Sequence, residues 1–384
     1  MRRSSDKHLV IPKCPFRGAP ALLAVTICVV ACQTRMDETP QYRYDLNTLV
    51  CLPTVTPTLG RPFEEVASDW QASGEQVYVF RVDVIEAEQI GDRTYCLGHG
   101  LPLDLTLRML NLYPDKTTML YMVLVDGQPI TITMASQVST RHVQPLPYNT
   151  LLSLPISIRP LTPGFHDVIL VGFANPYRHD MESGEWYNSS QDFIAYRLSV
   201  IVGEPLAQAH KPFDEPPLFL REYDLGPVLT LSDRADVPHQ WLTTTLSPGQ
   251  RITYYIFTSA ISSQTPCDEF ALIAFLDYQP VPINAGINSP YYARVCNRHT
   301  ARIQGEIKAP LEPGPHELIL MRIPNPHAPF MVIRAQPGVN PFDYDPDISE
   351  RVLIKVQAAP SISNRRMSRR PNQSRQMQVS LAGR

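Results

Sequence analysis

The chain has 384 residues, 43% of them hydrophobic and only 18% charged, with a formal net charge of −3. That is apolar material enough for two packed domains, and the small net charge divides into an acidic body and a basic tail, which is no footprint for nucleic acid. Its 38 prolines, without a collagen-like period, count against long helices and favour strands, turns and loops.

The first 31 residues read as a targeting segment. Arg2, Arg3, Lys7, Lys13 and Arg17 precede an apolar run that starts near Ala19. At about 13 residues the run suits a signal-peptide core and falls short of the roughly 20 that span a bilayer. Gly18, Pro20 and Thr26 weaken a spanning helix further. The run closes as Val29-Val30-Ala31-Cys32, a small residue directly ahead of a cysteine. Here the chain resembles the bacterial lipoproteins, whose lipobox ends in a small residue followed by the lipidated Cys. The resemblance covers residues 1–33. It implies a signal peptide over 1–31, cleavage ahead of Cys32, and palmitate-like acyl chains on Cys32. It also implies export to the cell envelope, at the outer membrane or the outer face of the cytoplasmic membrane. Gln33 stands where Asp marks inner-membrane retention in lipoproteins of two-membrane bacteria, so the resemblance implies the outer-membrane class. Read from the residues alone, a plain secretory signal ending at Val29 and Ala31, or an uncleaved anchor, stays open.

Residues 32–60 form the lipid-bearing start and a spacer. Pro53-Thr-Val-Thr-Pro-Thr58 favours an extended backbone, and a stretch of this length reaches up to about 95 Å. In an oxidising compartment the body's four cysteines, Cys51, Cys96, Cys267 and Cys296, are expected to pair. Three connectivities are possible; Cys51–Cys96 with Cys267–Cys296 keeps each bridge inside one domain. No zinc-ligand spacing accompanies them.

The body carries an internal duplication. Leu161-Thr-Pro-Gly-Phe-His-Asp-Val-Ile-Leu170 is matched by Leu311-Glu-Pro-Gly-Pro-His-Glu-Leu-Ile-Leu320, and Asn175-Pro176 by Asn325-Pro326. Upstream, Leu124-Val-Asp-Gly-Gln-Pro129 is matched by Phe275-Leu-Asp-Tyr-Gln-Pro280. Strands are expected at 76–85, 105–112, 118–125, 129–134, 151–158, 166–173 and 193–202, and in the second copy at 251–258, 269–276, 301–308, 316–323 and 350–357. Several alternate apolar with polar residues, as a half-buried strand does, and Asp126-Gly127 signals a hairpin. The pattern predicts an all-β protein of two tandem immunoglobulin-like β-sandwich domains: repeat 1 over 61–203, a Pro-rich linker over 204–217 that limits bending, and repeat 2 over 218–359. The Leu-x-Pro-Gly-x-His turn resembles the one before a late strand in extracellular immunoglobulin-like modules. His166 and His316 are expected to hydrogen-bond that turn. Residues 360–384 form a basic tail with six arginines and no acid, a composition that stays disordered.

The loops after the two Asn-Pro pairs are long and aromatic. Tyr177, Trp186, Tyr187, Phe330 and Phe342 are candidate anchors for a protein or glycan partner. Asp343, Asp345 and Asp347 alternate as candidate oxygen ligands for Ca²⁺, although the Gly and the bidentate Glu of an EF-hand loop are missing. No G-x-S-x-G, H-E-x-x-H, P-loop or dinucleotide motif appears, so no catalytic residue is assigned and no other cofactor is expected. The function expected is that of a non-enzymatic, membrane-anchored interaction or spacer module, with the membrane as one partner, an envelope protein or glycan as another, and no nucleic acid. Two alternatives remain: a ligand-binding component of an envelope transport system, which needs a cleft between domains, and a hydrolase of envelope polymers, for which Glu182 and Glu185 would be the first pair to inspect.

Overall fold

A computed structural model describes residues 61–114, 117–176, 193–203, 212–219, 229–238, 241–260, 267–296, 299–330 and 344–357. All lie in the second of two compact units, Asp45–Arg384. The leader, Cys32, Cys51, Tyr177, Trp186, Tyr187, Phe342, Asp343 and the basic tail lie outside the described residues.

Nearly all the described structure is β, in four sheets. Repeat 1 sets a five-stranded outer sheet against a seven-stranded inner sheet. Repeat 2 sets a seven-stranded inner sheet against a four-stranded outer one. Every strand expected from the sequence falls on an observed one, in two immunoglobulin-like sandwiches whose central strands follow the same order. The inner sheet of repeat 1 centres on Thr117–Val125, Gly164–Ala174 and Phe193–Val202; that of repeat 2 centres on Cys267–Leu276, Gly314–Pro324 and Val352–Val356. In both, the last strand also pairs in parallel with a short edge strand, Thr94–Leu97 or Thr243–Leu246.

The outer sheets alternate buried and wetter positions, as in Leu103–Asn111. The inner sheets do not. In Thr117–Val125, Met119, Tyr121, Val123 and Val125 face the core of their own sandwich. Leu120, Met122 and Leu124 face the other repeat. Ile169, Val171 and Phe173 join them, opposite Ala271, Ile273, Phe275, Ile319, Met321 and Ile323 of repeat 2. The two inner sheets therefore pack on each other through a third apolar core, and the sandwiches form one four-layer stack. Each fully buried side chain of this kind contributes about 1.5–3 kcal/mol relative to exposure. The sheet faces themselves thus join the repeats. The end of the linker is already part of repeat 2. Asp214 N–H donates to the Tyr292 carbonyl at 3.0 Å, and Phe213 packs edge-on to the Tyr292 ring.

One element was not expected. A helix, Phe63–Ser73, opens repeat 1 and ends on Gly74 in the left-handed region (φ 72°). Phe63, Val66, Ala67 and Trp70 fall on one face at i, i+3, i+4 and i+7 and cover Val79, Leu110 and Leu112 on the outer sheet.

Gly305 shows how tightly repeat 2 is packed. It pairs across the sheet with Tyr254, whose ring fills the space a side chain would take, and Trp241 stacks on that ring. A Cβ at 305 would lie 2.2–2.6 Å from the ring. Gly305→Ala is expected to destabilise by about 1–3 kcal/mol, read as a lower urea midpoint. Tyr254→Ala should make the second change tolerable, so additivity of the pair would contradict this packing.

Candidate interaction surfaces

The duplicated motif builds the same network twice. The turns Asp126-Gly127 and Asp277-Tyr278 place both central residues at positive φ, as a two-residue hairpin turn requires. In repeat 1 the Asp126 carboxylate accepts from His166 Nδ1 at 2.8 Å and from the Asp167 backbone N–H at 3.0 Å. His166 Nε2 lies 2.7 Å from the Thr162 carbonyl. In repeat 2, Asp277 accepts from His316 Nδ1 at 2.7 Å and from the Glu317 N–H at 2.9 Å, and His316 Nε2 lies 2.9 Å from the Glu312 carbonyl. The histidines thus hold the turn, as their position before a strand predicted, and also tie it to the neighbouring hairpin.

Both ring nitrogens face acceptors, an arrangement that suits the imidazolium. Burial opposes the charge, but the aspartate and carbonyl contacts outweigh it, and both histidines titrate above the ordinary 6.5. A group whose pKa rises on folding stabilises most below its unfolded value and loses that contribution as pH climbs through the folded one. The stability difference between the wild type and His166→Gln/His316→Gln should therefore shrink from about pH 6 to about pH 8. Urea midpoints across that range test this; a constant difference would contradict it.

The acid after each histidine holds a buried arginine. Asp167 accepts from Arg197 Nε at 2.7 Å. Arg197 is 1% exposed and crosses to repeat 2, donating to the carbonyls of Pro324, Asn325 (2.8 Å) and Tyr344 (3.3 Å). The return contact comes from Arg351, which donates to the carbonyls of Ala174 (2.6 Å) and Asn175 (3.3 Å) in repeat 1 and lies 3.9 Å from Glu317. Tyr278 Oη donates to Glu317. Asn175 and Asn325, both at positive φ, turn the carbonyls toward these guanidiniums.

Among the candidates on described residues, Phe330 is 2% exposed and packs with Tyr344 beneath the Arg93 guanidinium, 4.8 Å from its ring. That burial corrects its assignment as an exposed anchor: it belongs to the joint. Asp345 and Asp347 do not converge. Asp345 pairs with Arg93 at 2.6 Å, and burial raises its pKa despite that arginine. Asp347 lies 4.0 Å from Arg322. Among the described residues no group of His, Cys, Asp or Glu is placed to hold a metal. Arg322 is itself buried, 4.7 Å above the Phe270 ring, and burial lowers its pKa to about 10. Cys267–Cys296 is bridged as expected; Cys96 is also disulfide-bonded, and its expected partner Cys51 lies outside the described residues.

Sequence reasoning missed an aromatic groove on repeat 1. Trp70, Gln71, Leu112, Pro114, Tyr148 and Asn149 line it, about 160 Å³ in volume. Gln71 Nε2 donates to Asn149 Oδ1 at 2.7 Å and fixes helix to turn. Tyr148 is 54% exposed. The groove is below the 300–1,000 Å³ that engulfs a small molecule, so it can grip only an edge or a ring of something larger.

No family model matches the sequence, and no curated protein matches it. Among solved structures the chain is similar to the CARDB domain of PF1109 from Pyrococcus furiosus (9% identity, TM-score 0.21, covering 33% of this chain and 89% of that one). It is also similar to fibronectin(III)-like modules of Clostridium thermocellum CbhA (11% identity, TM-score 0.18, 72% and 94%) and to a beta-glucosidase from Listeria innocua (14% identity, TM-score 0.19, 34% and 17%).

Proposed function

We propose that the protein is an exported, lipid-anchored envelope component that works without catalysis, as a rigid interaction or spacer module. One observation carries the reading: an apolar core between the inner sheets, flanked by two arginine contacts, joins the sandwiches into a single block. A block of this kind holds surfaces at a fixed separation, which a strut or a presenting module needs. The sequence up to Cys32 supports the anchor and the export, and the 33–60 segment supports a spacer beneath the block. The Trp70–Tyr148 groove is the patch we assign to contact with an envelope protein or glycan.

Spin labels at Ser153→Cys and Thr253→Cys, both exposed positions on the outer sheets, test the block. A single narrow distance distribution is expected, whereas a broad one would mean a hinge and remove the strut. For the anchor, the mature protein should partition into detergent and Cys32→Ala should abolish this; a variant that partitions unchanged would reject lipidation.

A further inference from the structure

The contacts across the inner sheets come in matched pairs. Arg197 meets the Asn325 turn, and Arg351 meets the Asn175 turn. Leu120, Met122 and Leu124 occupy the places in repeat 1 that Ala271, Ile273 and Phe275 occupy in repeat 2, and Ile169, Val171 and Phe173 those of Ile319, Met321 and Ile323. A third pair lies at the hairpins. Arg141 Nη1 of repeat 1 donates to the Asp277 carbonyl at 2.9 Å. Its counterpart in repeat 2, Pro290, packs over Gly127, 3.0 Å from where a Cβ would stand. This is the signature of a two-fold, isologous interface, in which one patch recognises itself. Repeat 1 holds every part: a guanidinium at 197, acceptor carbonyls at 174 and 175, the apolar ridge, and Arg141 to face an Asp126-Gly127 turn that carries no bulky side chain.

We propose that the inner-sheet face is a self-recognition surface whose partner is a second copy of the same kind of repeat, and that the chain is such a pair fused into one polypeptide. Repeat 1 is the copy able to pair with itself. In repeat 2, Tyr278 stands where repeat 1 has Gly127, and Pro290 would meet it.

The test uses the full chain carrying a protease site within 204–211, cleaved after folding. Native mass spectrometry of the cleaved, equilibrated protein at tens of micromolar is expected to show the two halves held together. It should also show pairs of N-terminal halves formed by exchange. Arg197→Ala removes both guanidinium contacts from an N-terminal pair and only one from a mixed pair. The ratio of N-terminal pairs to mixed pairs should therefore fall at least tenfold. Mixed pairs alone, or halves that separate as monomers, would overturn self-recognition. N-terminal pairs indifferent to Arg197→Ala would overturn the pairing mode. Circular dichroism of the uncleaved variant shows that the chain still folds.

Discussion

Arg197→Ala is expected to cost about 3–5 kcal/mol of folding stability, because it leaves a buried carboxylate and several buried carbonyls without their donor. The guanidinium is 1% exposed and the Asp167 side chain 6%, so water cannot replace what is lost. Burial, with Asp126 adding to it, already pushes the Asp167 carboxyl up against the pull of Arg197, and the substitution removes the contact that opposes that rise. Arg197→Lys should rescue little, since an ammonium cannot supply the planar fork that meets Asp167, Pro324 and Asn325 together. The exposed pair Arg251–Glu306, at 2.7 Å, gives the contrast: Arg251→Ala should leave the urea midpoint almost unmoved. The contact also spans the repeats, so the variant should lose cooperativity as well as stability. Trp70 reports on repeat 1 and Trp241 on repeat 2. In variants retaining one or the other, the two curves should coincide for the parent and separate for Arg197→Ala. A loss below 1 kcal/mol with coincident curves would contradict the role given to this residue.

The sequence made the strands legible where one face is wet. Alternation in the run from Val77 to Val84 placed a strand of the outer sheet of repeat 1, and the Asp126-Gly127 turn placed a hairpin of its inner sheet. The second face of the inner sheets was written less plainly. Met119-Leu-Tyr-Met-Val-Leu-Val125 and Val168-Ile-Leu-Val171 are apolar without alternation, and a strand buried on both sides reads that way. Recognised as such, those runs would have announced the inter-sandwich core. The helix was legible too, since Phe63, Val66, Ala67 and Trp70 keep a 3.6-residue period despite the abundance of proline elsewhere. The arginines could have been found by aligning the last strands of the copies: Arg197 sits within an apolar strand opposite Ile169, and Arg351 stands directly before the apolar strand Val352–Val356. What could not be read is the direction of each guanidinium. A charge inside an apolar strand says that a partner exists, and only the stacking of the sheets shows that the partner is the other repeat. For the same reason Phe330 read as an exposed anchor: its loop follows an Asn-Pro turn, and nothing in the chain says that Arg93, far away in sequence, closes over it.

Phe275→Ala should be the most damaging single truncation in the core between the sandwiches, at about 3–5 kcal/mol. The ring is fully buried. It sits edge-on to Phe173 at 6.4 Å, while Tyr278 lies 5.0 Å from Phe173 on the same ridge. Both inner sheets are hydrogen-bonded on either side of the site, so they cannot close over the void, and most of the cavity cost should remain. Phe275→Leu, which keeps much of the volume, should lose less than about 1.5 kcal/mol. The comparison that matters is Phe270→Ala, five residues earlier on the same strand and pointing into the core of repeat 2 alone. That change should lower the stability of repeat 2 and draw repeat 1 down only through the joint. Phe275→Ala removes contact from both repeats at once, so the Trp70 and Trp241 transitions should both move and should part from each other. If Phe275→Ala moved the Trp241 transition and left Trp70 untouched, repeat 1 would owe nothing to the shared core, and the four-layer block would be two neighbours rather than one body.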